Sequence, residues 1–134
     1  MQNIAVVYYS GYGHKLVAEK VAQGAHADLI SIDNEGNITE QEWEKLDAAD
    51  AIIFGAPTYM GGAPWQFKKF ADASSKRGLH VNGRIKSSGF TSASLNGDKQ
   101  VTLIYLQTLA SQHGGLWVSL GQAPANVLAS TGKM

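Results

Sequence analysis

Short apolar runs alternate with helix-like segments along most of the chain. The first run, from Ile4 to Tyr9, is continuous and rich in apolar, β-branched and aromatic residues. Such a run is typical of a strand that is buried on both faces of a parallel sheet. The next segment has Leu16, Val17 and Val21 at helical spacing, and the alternation then recurs. Four strand–helix pairs followed by a fifth strand predict an α/β protein, with a parallel sheet covered by helices on both faces.

The predicted elements are short and closely spaced. Strands are predicted at residues 4–9, 28–32, 51–55, 86–90 and 116–120, and helices at residues 15–25, 39–49, 64–76 and 101–110. Thr39 and Glu42 have the spacing of a capping box, in which the two residues bond reciprocally at a helix start. Pro64 is predicted to be the first residue of the third helix, where an N–H group is not needed. The segment 121–134 has no strong pattern.

The composition indicates which binding partners and which cell compartment to expect. The 134 residues predict a single domain, 1–134, with a sizeable core. Eleven basic and eleven acidic residues give a net charge of zero, which does not favour nucleic acid or an anionic membrane as a partner. No run approaches the roughly 18 apolar residues of a membrane span, and no signal peptide is evident. Because cysteine is also absent, we expect a cytoplasmic protein without disulfides.

The loop after the first strand, residues 10–14, combines a serine with two glycines. Gly11 and Gly13 allow a sharp turn and a close approach of the backbone to a ligand. Backbone N–H groups and the N-terminus of the following helix favour a phosphate here. The pattern is not a Walker loop, and Leu16 replaces the third glycine of the dinucleotide fingerprint. A strand-to-helix turn without a ligand is the alternative.

Two further polar loops follow the third and fourth strands. Tyr59 lies in a loop with a proline and two glycines, which suits contact with a planar ring, although a surface turn with a packed tyrosine is the alternative. Trp65 follows this loop and is a further candidate for the same surface. Residues 91–97 offer hydroxyl groups, an amide and backbone donors. Because ligands of parallel sheets bind beyond the carboxyl ends of the strands, we expect the three loops to form one composite site.

Four motifs together make the chain resemble the flavodoxin superfamily, and more closely the tryptophan-repressor-binding-protein-like NAD(P)H:quinone oxidoreductases. The motifs are VYYSGYGH at 7–14, GAPTY at 55–59, FTS at 90–92 and QHG at 112–114. The resemblance covers essentially the whole chain. It implies a flavodoxin-like three-layer fold with strand order 2-1-3-4-5 and a non-covalently bound FMN. It also implies two-electron reduction by NAD(P)H, a quinone or other small electron acceptor, and a homo-oligomer, either a dimer or a tetramer.

The resemblance further implies roles for individual residues. Those expected around the FMN phosphate are Ser10, Gly11, Tyr12, Gly13, His14 and Lys15. Those expected along the isoalloxazine ring are Pro57, Thr58, Tyr59, Met60 and Gly61. Those expected at the ring edge and the ribityl chain are Thr91, Ser92, Ala93, Ser94, Leu95, Asn96 and Gly97. The catalytic candidates are Tyr12, near the nicotinamide or quinone, and His113, which would approach the flavin from the same or a neighbouring subunit.

The chain departs from the family pattern in ways that leave alternatives open. The family continues beyond the fifth strand into a final helix, so we expect the C-terminal helix to be missing here. A flavodoxin-type one-electron carrier is one alternative, although such carriers are typically acidic and this chain is neutral. Another is a binding protein that keeps the fold with weak or no FMN, because two of the loops look about one residue short. The four histidines have no close pairing, so no metal site is expected.

Overall fold

A five-stranded parallel sheet forms the centre of the computed structural model, which describes residues 2–11, 15–77, 85–94 and 97–119. The strands are β1 (Ile4–Tyr9), β2 (Asp28–Ile32), β3 (Ala51–Pro57), β4 (Lys86–Ser92) and β5 (Leu116–Trp117). The helices are α1 (Lys15–Ala25), α2 (Glu40–Asp47), α3 (Trp65–Ser74) and α4 (Lys99–Gln112). The strand order is β2-β1-β3-β4-β5, so the predicted α/β fold and topology are confirmed.

The strands around the predicted site differ in length from the prediction. β3 and β4 each extend two residues further, because residues 55–57 pair in register with residues 90–92. Pro57, Thr91 and Ser92, which were expected in loops, therefore end these two strands. β5 is shorter than predicted and ends at Trp117, since it pairs only with the first two residues of β4.

The helix boundaries confirm one of the two predicted helix starts. The capping box is confirmed: the Thr39 hydroxyl accepts from the Glu42 backbone N–H at 3.1 Å, and the Glu42 carboxylate accepts from the Thr39 N–H at 2.9 Å. Pro64 is extended, with a ψ of 157°, so it precedes α3 instead of being its first residue. α3 ends early, since the Ser74 and Ser75 hydroxyls donate to backbone carbonyls of its last turn at 2.6 and 2.7 Å. α2 ends at Asp47, whereas α4 begins before and ends beyond the predicted 101–110.

The core lies on both faces of the sheet. On one face, α2, α3 and α4 cover a cluster that includes the side chains of Val7, Ile52, Phe54, Leu46, Phe67, Phe70 and Leu106. On the other face, Ala18 and Ala22 of α1 pack against Val6 and Tyr8 of β1. The expected lack of a C-terminal helix concerns residues that lie outside the described part of the chain. None of the described helices combines the length and apolarity needed to cross a membrane.

Candidate functional site

The candidate site lies at the carboxyl edge of the sheet, where parallel strands bring their following loops together. We name these loops L1 (residues 10–14, after β1), L3 (58–64, after β3) and L4 (93–98, after β4). The observed strand order places β1, β3 and β4 side by side. The three polar loops singled out from the sequence therefore leave the sheet next to one another.

In L1, Gly11 occupies a position that requires glycine. Its φ is +55°, in the left-handed region, and a Cβ built on it would overlap the hydroxyl of Tyr59 from L3. Lys15 begins α1 directly after the loop, and its exposed amine lies 3.6 Å from Glu19. Ser10 is partly buried. The other predicted phosphate ligands, Tyr12, Gly13 and His14, lie outside the described residues.

L3 begins with a tight four-residue turn. The Tyr59 N–H donates to the Gly62 carbonyl at 2.8 Å, and the Gly62 N–H donates back to the Tyr59 carbonyl at 3.1 Å. The two central residues, Met60 and Gly61, have φ values of 50° and 80°, as a type I′ turn requires. Met60 is a rare residue at such a position, and its side chain is fully exposed. The turn thus presents an apolar side chain to solvent at the edge of the site.

Three hydroxyl groups join L3 to β4 and α4. The Thr58 Oγ1 lies 2.8 Å from the Thr91 Oγ1 and donates to the Thr102 Oγ1 at 2.7 Å. The Thr58 backbone N–H also donates to the Ser92 carbonyl at 2.9 Å. The structure therefore brings together residues that the sequence placed in separate loops. Thr102 was not predicted as a site residue, because a threonine in the first turns of a helix gives no local signal of what it faces.

L4 is compact where it is described. The Gly97 N–H donates to the Ser94 carbonyl at 2.9 Å, and a Cβ on Gly97 would overlap the side chain of Ala93. Ser94 is exposed, and Ala93 and Gly97 are partly buried. The predicted site residues Leu95 and Asn96 lie outside the described residues.

A cleft of about 620 Å³ opens beside L1 and L3. It is lined by Tyr9, Gly11, Asn34, Tyr59, Ala63, Pro64, Trp65 and Gln66. The Tyr9 hydroxyl donates to the Asn34 side-chain carbonyl at 3.2 Å. Trp65, a candidate from the sequence, is more than half exposed here. Asn34 was missed because the turn after β2 is acidic and looks ordinary, although its position at the carboxyl edge was a usable signal.

His113 is not brought to the three loops within one chain. It follows the C-terminus of α4 and precedes β5, so it lies at the opposite, amino edge of the sheet. The ring is buried, and its Nε2 lies 2.8 Å from the Ser74 hydroxyl. Because that hydroxyl already donates its one proton to the Ala71 carbonyl, Nε2–H of His113 is the donor in this contact.

A groove between α3 and α4 lies next to His113, away from the three loops. Tyr105 and Asp72 are among the residues that line this groove of about 460 Å³. Burial, and to a smaller extent the negative charge of Asp72, raise the pKa of Tyr105 to about 12. This phenol therefore stays neutral at physiological pH.

The arrangement at the carboxyl edge suits an anion joined to a planar polar ring. L1 offers its glycine backbone, and α1 begins beside it. L3 and β4 offer hydroxyl groups, and Tyr59 and Trp65 offer aromatic surface. The model of the flavodoxin-like fold family matches residues 12–116. The chain belongs to this family.

Similar proteins agree with this membership. Flavodoxin FldP from Pseudomonas aeruginosa is 62% identical over 134 residues, which cover 98% of this chain and 73% of that protein. A flavodoxin, WrbA-like protein from Agrobacterium tumefaciens has a crystal structure that superposes with a TM-score of 0.83 at 63% identity, covering 90% of this chain and 79% of that one. An NAD(P)H dehydrogenase (quinone) from Geobacter sulfurreducens is 33% identical over 150 residues, covering 90% of this chain and 73% of that protein. The family resemblance read from the motifs is thereby confirmed.

Proposed function

We propose that the chain binds FMN at its carboxyl edge and catalyses electron transfer from NAD(P)H to a quinone-like acceptor. The observation that carries the proposal is the convergence of L1, L3 and the end of β4, where Thr58 contacts Thr91 and Tyr59 lies over Gly11. The residues present fit FMN. The hydroxyls of Thr58 and Thr91 suit the donors and acceptors of a ribityl chain and a flavin ring, and Tyr59 and Trp65 offer aromatic surface for a planar ring.

In this proposal, residues 10–15 hold the phosphate, with backbone N–H groups and the N-terminus of α1 as donors. Residues 57–61 lie along the ring, and residues 91–97 hold its edge and the ribityl chain. Bound FMN supplies the redox chemistry, so the protein's own groups serve to bind, orient and exclude water. Tyr59 and the exposed Trp65 line the cleft beside L3, which we propose as the place of the nicotinamide or quinone ring.

The enzymatic part of the proposal is supported by two observations. The relative from Geobacter sulfurreducens is an NAD(P)H dehydrogenase (quinone) at 33% identity. The chain is also neutral, and so lacks the excess charge that steers an electron carrier to a protein partner. Tyr12 and His113 remain the proposed catalytic residues. Since His113 lies at the amino edge, its contact with a flavin requires a neighbouring subunit, and we therefore propose a homo-oligomer.

A flavodoxin-type electron carrier is the second candidate. It is favoured by the Pseudomonas aeruginosa relative, which is a flavodoxin at 62% identity. The two candidates share the FMN site and differ in the electron donor. An enzyme accepts electrons directly from NAD(P)H, whereas a carrier needs a separate reductase protein.

Titration of the purified chain with FMN tests the shared site, followed by absorbance and by quenching of FMN fluorescence. We expect stoichiometric binding, and its absence would reject both candidates. NADH and NADPH are then added to the FMN-loaded protein with benzoquinone. Rapid bleaching of the flavin and oxidation of either nucleotide would support the enzyme. Bleaching only after a flavodoxin reductase is added would overturn it in favour of the carrier.

A further inference from the structure

A buried hydroxyl group lies behind the proposed flavin-binding loops. Thr102, on α4, is 0% exposed, and its Oγ1 accepts a hydrogen bond from Thr58 at 2.7 Å. Thr58 is in turn 2.8 Å from Thr91. Thr58 and Thr91 are partly exposed at the carboxyl edge, so the three hydroxyls form a chain from the protein interior to the site.

The number of protons on each hydroxyl group gives the row of three hydrogen-bonded hydroxyls a direction. A hydroxyl group carries one proton and two lone pairs. Thr58 uses its proton to donate to Thr102, so in its contact with Thr91 it must be the acceptor. Thr91 therefore donates inward, and only its lone pairs remain for a ligand. The exposed end of the chain is consequently a hydrogen-bond acceptor.

The hydroxyl chain is not needed merely to join L3 to β4. The Thr58 backbone N–H already donates to the Ser92 carbonyl at 2.9 Å, and the strands pair in register as far as Pro57 and Ser92. Removing the Thr102 hydroxyl would leave this backbone contact in place. It would free the Thr58 proton to turn toward Thr91, whose own proton would then point outward. The end that faces the ligand would change from an acceptor to a donor.

We propose that Thr102 is a positioning residue that orients Thr58 and Thr91, so that Thr91 accepts a hydrogen bond from the ring N–H of FMN, a group that can only donate. This proposal rests on the proposed FMN site. Thr102 does not touch the cofactor and acts through Thr58.

Fluorescence titration of the apoprotein with FMN tests the proposal, with thermal unfolding of each apoprotein measured in parallel. We expect Thr102→Val to weaken FMN binding about five- to tenfold, in the range of one hydrogen bond. Thr102→Ser retains the hydroxyl and should bind within about twofold of the wild type, whereas Thr102→Ala should resemble Thr102→Val. Thr108→Val is the matched control. It makes the same change on the same helix at an exposed threonine that donates to the Ile104 carbonyl at 2.9 Å.

A double-mutant cycle separates positioning from general destabilisation. If Thr102 acts through Thr58, the pair Thr58→Val/Thr102→Val should bind FMN no more weakly than Thr58→Val alone. Additive losses of affinity would overturn the proposal, as would wild-type affinity in Thr102→Val. If Thr102→Val does not fold, the comparison of Thr102→Ser with Thr102→Ala decides, since the two differ by one hydroxyl. Failure of the wild type to bind FMN would overturn the proposed function and this inference together. If the wild type binds FMN, additive losses or wild-type affinity in Thr102→Val overturn only the inference.

Discussion

Gly11 occupies a place that no other residue fits without displacing a neighbour. Its φ of +55° is strained for a residue with a Cβ, and the space where that Cβ would lie is taken by the Tyr59 hydroxyl. One residue of L1 therefore determines how closely L3 approaches. At this scale the site depends on the absence of a side chain as much as on the presence of polar ones.

We expect Gly11→Ala to weaken FMN binding by about tenfold or more, since the left-handed conformation costs roughly 1–2 kcal/mol for alanine and Tyr59 must also move. Titration of the apoprotein with FMN measures the effect. Gly24→Ala is the control, because Gly24 lies in α1 and a Cβ there meets no atom within 4 Å. That variant should keep its FMN affinity and gain about 0.5–1 kcal/mol of stability. Unchanged affinity in Gly11→Ala would show that the contact between L1 and L3 is dispensable.

At the scale of a single element, the turn at the start of L3 is closed by two reciprocal backbone hydrogen bonds between Tyr59 and Gly62. Its geometry favours asparagine or glycine at the first central position, where the chain has Met60. The Met60 side chain is fully exposed, so it makes no packing contact that would offset the backbone strain. This strained residue lies at the edge of the proposed site, and strained residues often cluster at functional sites.

Met60→Asn should therefore raise the free energy of unfolding of the apoprotein by about 0.5–1 kcal/mol, because asparagine tolerates the left-handed conformation. Urea unfolding measures this change. Met60→Val should act in the opposite direction, since a β-branched side chain is the least compatible with a positive φ. Shifts of the same sign in both variants would contradict the assignment of a type I′ turn.

At the scale of the whole molecule, the packing of α3 against α4 partly buries Tyr105, and this burial makes the stability of the fold depend on pH. Tyr105 of α4 makes an edge-to-face contact with Phe67 of α3, with ring centroids 6.2 Å apart. Burial, followed by the negative charge of Asp72, raises the pKa of Tyr105 to about 12, so the folded state retains the proton more strongly than the unfolded state. Between pH 10 and 12 the unfolded chain loses this proton first, and stability falls as the pH rises through that window.

Tyr105→Phe should lose less stability between pH 9 and pH 11 than the wild type, by on the order of 1 kcal/mol after allowance for solvent screening of a half-exposed ring. Urea midpoints at the two pH values measure the difference. Asp72→Asn removes only the smaller cause and should fall between the two proteins. Identical pH dependence of Tyr105→Phe and the wild type would show that Tyr105 titrates normally in the folded state.

The alternation of apolar runs and helical periodicity was sufficient for the order of elements and the parallel sheet. These features are local, since period and capping depend on residues a few positions apart, as for Thr39 and Glu42. The same reasoning placed the three polar loops at one edge, because every strand of a parallel sheet ends there. Boundaries were less predictable. Whether β4 continues to Ser92 depends on its partner strand, which lies more than thirty residues away in the chain.

The tertiary structure alone decided which side chains meet at that edge and which do not. Thr102 reaches Thr58 across 44 positions of sequence, and Tyr59 lies over Gly11 from a different loop. His113 stands at the opposite edge because α4 runs antiparallel to the strands it covers. Contacts of this kind depend on how helices pack on the sheet, and no local pattern in the sequence encodes that packing. The sequence by itself determined the order of the elements and the edge of the sheet at which the loops lie. Packing determined which hydroxyl groups meet behind those loops.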